Sequence, residues 1–296
     1  MKLCLGTVQF GLDYGIQGNG RIKKEAIFEM ISFAVNNGIE IFDTASVYGD
    51  AEKVLGEYIR TYPDMAERIG IVSKLKPDAL VGNDSNIWAE IALTNAKESL
   101  ERLGIKKLFA YLFHNASFIF NEDAVNALDE VKKSGIAERI GVSIYTSSEA
   151  MKALEYSCIG VIQIPYNLFD HRLDKCGFFQ KAKDQGVLVF ARSSLLQGLL
   201  MMDPYNLPDR VLFSKVYLDK FHDLCDKYEC PPLRTAIGYV GCKPGIDYVV
   251  FGVDNIDQLK EYVDMKNNKL SEDMLKDINR TFDTVEEKLV NPVLWK

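Results

Sequence analysis

The sequence predicts an α/β fold, a (β/α)8 TIM barrel forming a single domain over residues 1–296 with an additional C-terminal helix. Three observations carry this reading. Eight short apolar runs alternate with longer helical patterns along the chain. The runs are close to continuously apolar, as parallel strands covered on both faces should be. A length of 296 residues is long for an ordinary domain but usual for one such barrel. The rival doubly wound sheet would usually carry a glycine fingerprint after an early strand. Here "GTVQFG" (6–11) is not G-x-G-x-x-G, and the sequence has no Walker-type phosphate loop.

The elements follow in order. "KLCLG" (2–6) is the first strand candidate, with a helical stretch at 25–37 behind it. "IEIFD" (39–43) leads to 50–61, and "GIVSK" (70–74) leads to 86–103. In "SNIWAEIALTNAKESLERLG" apolar residues recur at three and four, and Gly104 stands at the stop. "LFAYLFH" (108–114) precedes 122–134, and "RIGVS" (139–143) precedes 147–156. "GVIQIPYN" (160–167) precedes 173–185. "VLVFAR" (187–192) is followed by the longest break in the pattern, 193–210, and then by helical stretches at 210–229 and 232–241. "YVVFG" (248–252) leads to 255–266, and an extra helix is expected at 271–289.

Composition narrows the function. The chain is 47% hydrophobic and 26% charged, enough for a full core. A net charge of -7 argues against nucleic acid or an anionic membrane as the main partner. Three His and six scattered Cys without a C-x-x-C pair give no metal-site spacing, so no metal is expected. The N-terminus lacks a signal-peptide run, and no window reaches the roughly 20 apolar residues that span a bilayer. A cytoplasmic protein with free thiols is the expectation. The sequence is silent on oligomeric state.

In a barrel, catalytic groups lie at the carboxyl ends of strands. Asp43 ends the second strand candidate, Lys74 the third and His114 the fourth, and Tyr48 follows Asp43 by five residues. A free tyrosine titrates near 10, and a neighbouring ammonium such as Lys74 would lower it. Asp43 would serve Lys74 as counter-ion, and His114 would donate to a substrate oxygen. The set suits protonation of a carbonyl oxygen while hydride reaches its carbon. Each residue also has a plainer reading. Asp43 could cap a turn, Tyr48 pack as a partly buried aromatic, Lys74 stand in solvent and His114 bond within a loop.

The motif "FDTASVYGDAEKVLGEYI" (42–59), with Lys74 in "IVSKL" and His114 in "YLFHN", resembles the aldo-keto reductase family. "RIGVS", "VIQIPYN", "FARSSLLQGLL" and "VVFGVDNIDQLKEYV" are similar to its later segments in order, so the likeness spans nearly the whole chain. The resemblance implies a (β/α)8 barrel that reduces a small carbonyl substrate with NADP(H) or NAD(H) bound in extended form. It implies a tetrad of Asp43, Tyr48, Lys74 and His114, with Tyr48 as acid. For the cofactor it implies Thr7, Ser143, Gln163, Arg192, Ser193, Leu195, Gly252, Asn255, Gln258 and Glu261.

The chain departs from the family at several of these places. Ile144 stands where an asparagine is usual, and Arg192 where an aromatic stacks on the nicotinamide. Arg192 is therefore also a candidate for binding an anionic substrate or the cofactor's phosphates. The stretch after the eighth strand offers Gly252, Val253 and Gln258 with Asp254 and Asp257, in place of the family's cations. Each charge-assisted bond lost to a 2′-phosphate would cost roughly 1.5–3 kcal/mol. A preference for NADPH that is weak at most, with use of NADH, is the expectation, although the start of the 255–266 helix could offer backbone N–H groups to a phosphate. Candidate substrate contacts are Phe10, Tyr14, Val47, Trp88 and the 193–210 loop. "LGTVQFGLDYGI" resembles a branch linked to surface-polysaccharide or nucleotide-sugar pathways, which would make the substrate a sugar derivative. Two alternatives stay open. One is a barrel with weakened cofactor binding that acts as a binding or regulatory protein. The other is a non-redox acid–base enzyme on a sugar.

Overall fold

A computed structural model describes residues 1–16 and 20–295. Eight parallel strands close into a barrel in sequence order. They are β1 (Lys2–Gly6), β2 (Ile41–Asp43), β3 (Gly70–Leu75) and β4 (Leu108–Phe113), then β5 (Ala137–Ser143), β6 (Ile159–Pro165), β7 (Leu188–Arg192) and β8 (Tyr248–Phe251). All eight strand candidates are present, and β8 pairs with β1 to complete the ring. The fold is a (β/α)8 TIM barrel. Among the described residues, no helix is long and apolar enough to cross a membrane.

Alternation along the strands explains where the polar residues go. An inner layer of the barrel contains Cys4, Ile41, Val72, Leu112, Val161, Phe190 and Val250. Side chains two residues apart on a strand share a face. Two residues beyond these seven stand Gly6, Asp43, Lys74, His114, Gln163, Arg192 and Gly252. The candidate residues therefore form the next layer up, at the carboxyl mouth. Their neighbours of opposite parity, such as Leu5, Phe42 and Phe113, pack outward under the helices.

One outward residue supports the site from behind. Ser73 donates a 2.6 Å hydrogen bond to Glu52, and Arg102 donates another of 2.6 Å to the same carboxylate. Glu52 lies on the helix Ala51–Thr61 and Arg102 on the helix Trp88–Leu103. This buried network ties two helices to the strand that carries Lys74.

The extra C-terminal helix is shorter than the sequence suggests. It runs Glu272–Thr281, and a separate turn of helix follows at Glu287–Val290. Tertiary packing interrupts it. Phe282 is buried edge-on against Phe169, with ring centroids 4.7 Å apart, and its carbonyl lies 2.9 Å from His171 Nε2.

Candidate active site

The carboxyl ends of the strands surround a cavity of about 670 Å³. At its base, the Lys74 ammonium donates to both Asp43 carboxylate oxygens at 2.8 Å and to the Thr44 carbonyl at 2.9 Å. Three donors meet three acceptors. Lys74 is 1% exposed and Asp43 5%. Burial this deep rules out a solvated lysine, and the bonds to the Asp43 carboxylate come from side chains of other strands rather than from a local turn. Asp43 also accepts a 2.8 Å bond from Gln163 Nε2, and Thr7 holds the Asp43 carbonyl through its own N–H and hydroxyl.

Tyr48 stands on the loop after β2. Its carbonyl accepts from Ala51 N–H, which starts the following helix. A Cβ at Gly11 would collide with that carbonyl, so glycine lets the first loop clamp the Tyr48 turn. The Lys74 nitrogen lies 5.1 Å from the Tyr48 ring centre. The Tyr48 and His114 rings meet edge to face, with centroids 5.8 Å apart. All four predicted catalytic residues thus converge, with Asp43, Tyr48 and His114 lining the cavity and Lys74 behind Asp43.

The electrostatics correct one expectation. Burial pushes the Tyr48 phenol above its ordinary value, and the opposing pull of Lys74 does not overcome it. Tyr48 is therefore a fully protonated donor in this state. Burial works against the Lys74 ammonium, yet Asp43 and Tyr48 outweigh it and its pKa is raised. His114 is pushed down to about 4 by burial and by Lys74, so its imidazole is neutral near pH 7. Its Nδ1 is buried without a partner.

The other half of the cavity is built from β5 to β8. Ser143 donates 3.0 Å to Gln163 Oε1, which completes a chain from Ser143 through Gln163 to Asp43. Arg192 donates from Nε to Ser143 Oγ at 3.2 Å, from Nη1 to Ser193 Oγ at 3.2 Å and from Nη2 to the Ile144 carbonyl at 2.8 Å. Its guanidinium carbon lies 4.6 Å from the centre of the Tyr145 ring. The Ile144 side chain is buried in the core, and the residue meets the site through its backbone, its carbonyl accepting from Arg192 and its N–H donating to the Gln163 carbonyl at 2.9 Å.

Farther along, Gly252, Gln258 and Glu261 line the wall with Tyr262. A Cβ at Gly252 would collide with the Gln9 carboxamide, so the bare glycine makes room for Gln9. Asn255 is not part of the lining. Its side chain caps the helix Ile256–Asp264 by accepting from the N–H groups of Asp257 at 3.1 Å and Gln258 at 2.9 Å. Gln258 Oε1 in turn takes the Asp254 N–H at 2.8 Å. Two of the backbone donors that the start of this helix could offer to a phosphate are thus already engaged, as is the Asp254 N–H just before it.

Of the remaining cofactor candidates, Thr7, Ser193 and Leu195 line the cavity as well. Among the substrate candidates Tyr14 does, and so does much of the loop after β7. Phe10, Val47 and Trp88 do not. Phe10 is buried in the core, Val47 faces solvent, and Trp88 donates to the Asn83 carbonyl at the start of its helix. Gln9 and Tyr145 are lining residues the sequence reading missed, whereas Ser194 belongs to the 193–210 loop it named. Tyr145 had a visible signal, an aromatic two residues past the β5 serine.

Fold and site together define a (β/α)8-barrel protein with a buried acid–base cluster at its carboxyl mouth. The model of the Aldo/keto reductase family matches residues 2–282, so the chain belongs to that family of oxidoreductases. It is 24% identical over 273 residues to an aldo-keto reductase of Gibberella moniliformis, covering 86% of this chain and 83% of the relative. It is 25% identical over 316 residues to aldo-keto reductase YhdN of Bacillus subtilis, covering 98% and 92%. The solved holo form of an aldo-keto reductase from Bacillus halodurans shares the fold, with a TM-score of 0.77 at 20% identity over 98% of this chain and 95% of that one.

Proposed function

We propose that this protein is a nicotinamide-dependent reductase of a small aldehyde or ketone, with Tyr48 as general acid. The carrying observation is the convergence of Tyr48, His114 and the Lys74–Asp43 pair at the base of one cavity. The substrate oxygen sits between the Tyr48 hydroxyl and the His114 ring. Tyr48 transfers its proton to that oxygen as the alcohol forms. The Lys74 charge stabilises the phenolate left behind, and Asp43 keeps Lys74 protonated and aimed. Neutral His114 donates a hydrogen bond to the same oxygen without competing for the proton.

The residues present fit a dinucleotide. The cavity runs from Tyr48 to Glu261 and Tyr262. Gln9 Oε1 and Ser194 Oγ on its walls are buried polar atoms with no protein partner. Gln163 keeps one N–H and one lone pair beyond its two bonds. Ser143, Gln163, Ser193, Leu195, Gly252, Gln258 and Glu261 would hold the group, with Thr7 beneath and Asn255 fixing the last turn. When bound, the reduced nicotinamide supplies the hydride.

The far wall carries Asp254 and Glu261 and, among the described residues, no cation. Lys260, the nearest basic residue in sequence, pairs with Asp257 at 3.0 Å on the surface. A 2′-phosphate gains nothing there, so NADH binds at least as tightly as NADPH. Titrating the protein with each cofactor, while following nicotinamide fluorescence, tests both parts. Micromolar binding of NADH followed by turnover of aldehydes is the expected result. No binding of either cofactor at millimolar concentration overturns the reductase reading, and a tenfold preference for NADPH overturns the cofactor assignment.

A further inference from the structure

We propose that Arg192 is an anion anchor that makes carbonyl compounds bearing a carboxylate or phosphate the preferred substrates. The proposal rests on the reductase reading and names the substrate class of that same site.

Arg192 is the only cation in the cavity lining among the described residues. Its three hydrogen bonds go to two hydroxyls and one carbonyl, all neutral. A guanidinium has five N–H donors, so two remain. The three bonds and the Tyr145 face hold the planar group in one orientation, so little entropy is lost when it meets a ligand. A partly buried guanidinium bonded only to neutral oxygens is poorly compensated, and a bidentate anion supplies what is missing.

The carboxylates of the cavity do not serve. Asp43 is taken by Lys74, and Asp254 and Glu261 line the wall with β8 and its following helix. Two sources could bring the anion, the substrate or the cofactor's diphosphate. Position favours the substrate. Arg192 is linked to the base of the site by consecutive bonds, from Arg192 to Ser143, to Gln163 and to Asp43. Its charge also acts on both Tyr48 and His114. An anion held there lies within the reach of a short substrate whose carbonyl meets Tyr48.

The test compares two pairs of aldehydes, butanal against 4-oxobutanoate and glyceraldehyde against its 3-phosphate. The ratio of kcat/KM within each pair is measured for the wild type and for Arg192→Gln. The expected result is a preference of at least tenfold for the anionic member of one pair, falling close to unity in the variant. Cofactor affinity, read by nicotinamide fluorescence, separates the two sources. If the variant weakens cofactor binding tenfold and leaves the ratios unchanged, the anion is the cofactor's and the proposal fails. A wild-type ratio near one in both pairs also overturns it. If no aldehyde is turned over at all, the reductase reading has failed, and calorimetry with succinate and inorganic phosphate judges the anchor alone. At least tenfold weaker binding of one of them to Arg192→Gln than to the wild type supports it. Equal binding, or none to either protein, overturns it.

Discussion

The two halves of the cavity are stabilised in different ways. On the β2–β4 side, buried charges are paired within the protein. Lys74 has three acceptors, and Asp43 receives Lys74 and Gln163. On the β5–β8 side, the one lining cation among the described residues meets only neutral oxygens, and Gln9 Oε1 and Ser194 Oγ lack partners. Apart from His114 Nδ1 and Thr44 Oγ1, which are buried without a partner, the first half is preorganised before any ligand enters, as acid catalysis requires. The second is a set of open valences that a ligand completes. Substitutions in the first half should therefore act on rate and stability, and those in the second on affinity and selectivity.

The largest effect is expected at Tyr48. Tyr48→Phe removes the proton donor and keeps the perpendicular ring contact with His114. Turnover should fall by about 10²–10⁴-fold, the usual range for losing a general acid. The cofactor titration should be unchanged. A variant with wild-type kcat would refute the acid assignment, and a variant that loses cofactor affinity equally would dissolve the distinction between the halves.

Lys74→Met comes next. It leaves the Asp43 carboxylate buried with Gln163 as its one remaining side-chain donor. Breaking a buried pair by removing one partner costs about 3–5 kcal/mol. Denaturant unfolding should show a loss of that size. Adding Asp43→Asn should return part of it, because the uncompensated charge is gone. Strictly additive losses in the double variant would show that the pair is not coupled.

Proton linkage at His114 gives a smaller, pH-dependent effect. The folded-state value, about 4, lies below the ordinary 6.5. As pH falls through 6.5 the unfolded chain takes up a proton that the folded protein refuses. The stability contributed by neutral His114 is therefore fully present above pH 6.5 and is lost as pH falls from 6.5 towards 4. Wild type should lose stability relative to His114→Gln across that window. Parallel stability curves for the two proteins would rule this linkage out. For the same reason kcat/KM should show no inflection from His114 between about pH 5.5 and 8.

The halves also differed in how far the sequence disclosed them. Asp43, Lys74 and His114 were legible because strand periodicity puts them one layer above Ile41, Val72 and Leu112, and because charged groups ending apolar strands are conspicuous. All eight strands were legible for the same reason. The Glu52–Ser73–Arg102 network was not, since three helix and strand residues far apart in sequence carry no pattern. Nor was the shape of the loop after β7. Ser193, Leu196 and Gln197 there adopt positive φ, a conformation non-glycine residues avoid and local sequence does not announce. The roles of Asn255 and Gln258 depend on which backbone N–H groups their side chains reach, which the residue types alone do not show.

That last detail gives the smallest effect and the finest test of the β5–β8 side. Asn255 accepts from the Asp257 and Gln258 N–H groups, so it occupies the donors a phosphate would use. Asn255→Ala should cost about 1 kcal/mol in stability, as a lost N-cap does. It should also release two N–H groups at a helix start, where anions are favoured. If the wild type disfavours the 2′-phosphate partly because those donors are engaged, the variant should bind NADPH a few-fold better relative to NADH. An unchanged ratio, with the expected loss of stability, would assign the discrimination to the Asp254 and Glu261 carboxylates alone. Gln258→Arg should then be the substitution that shifts it.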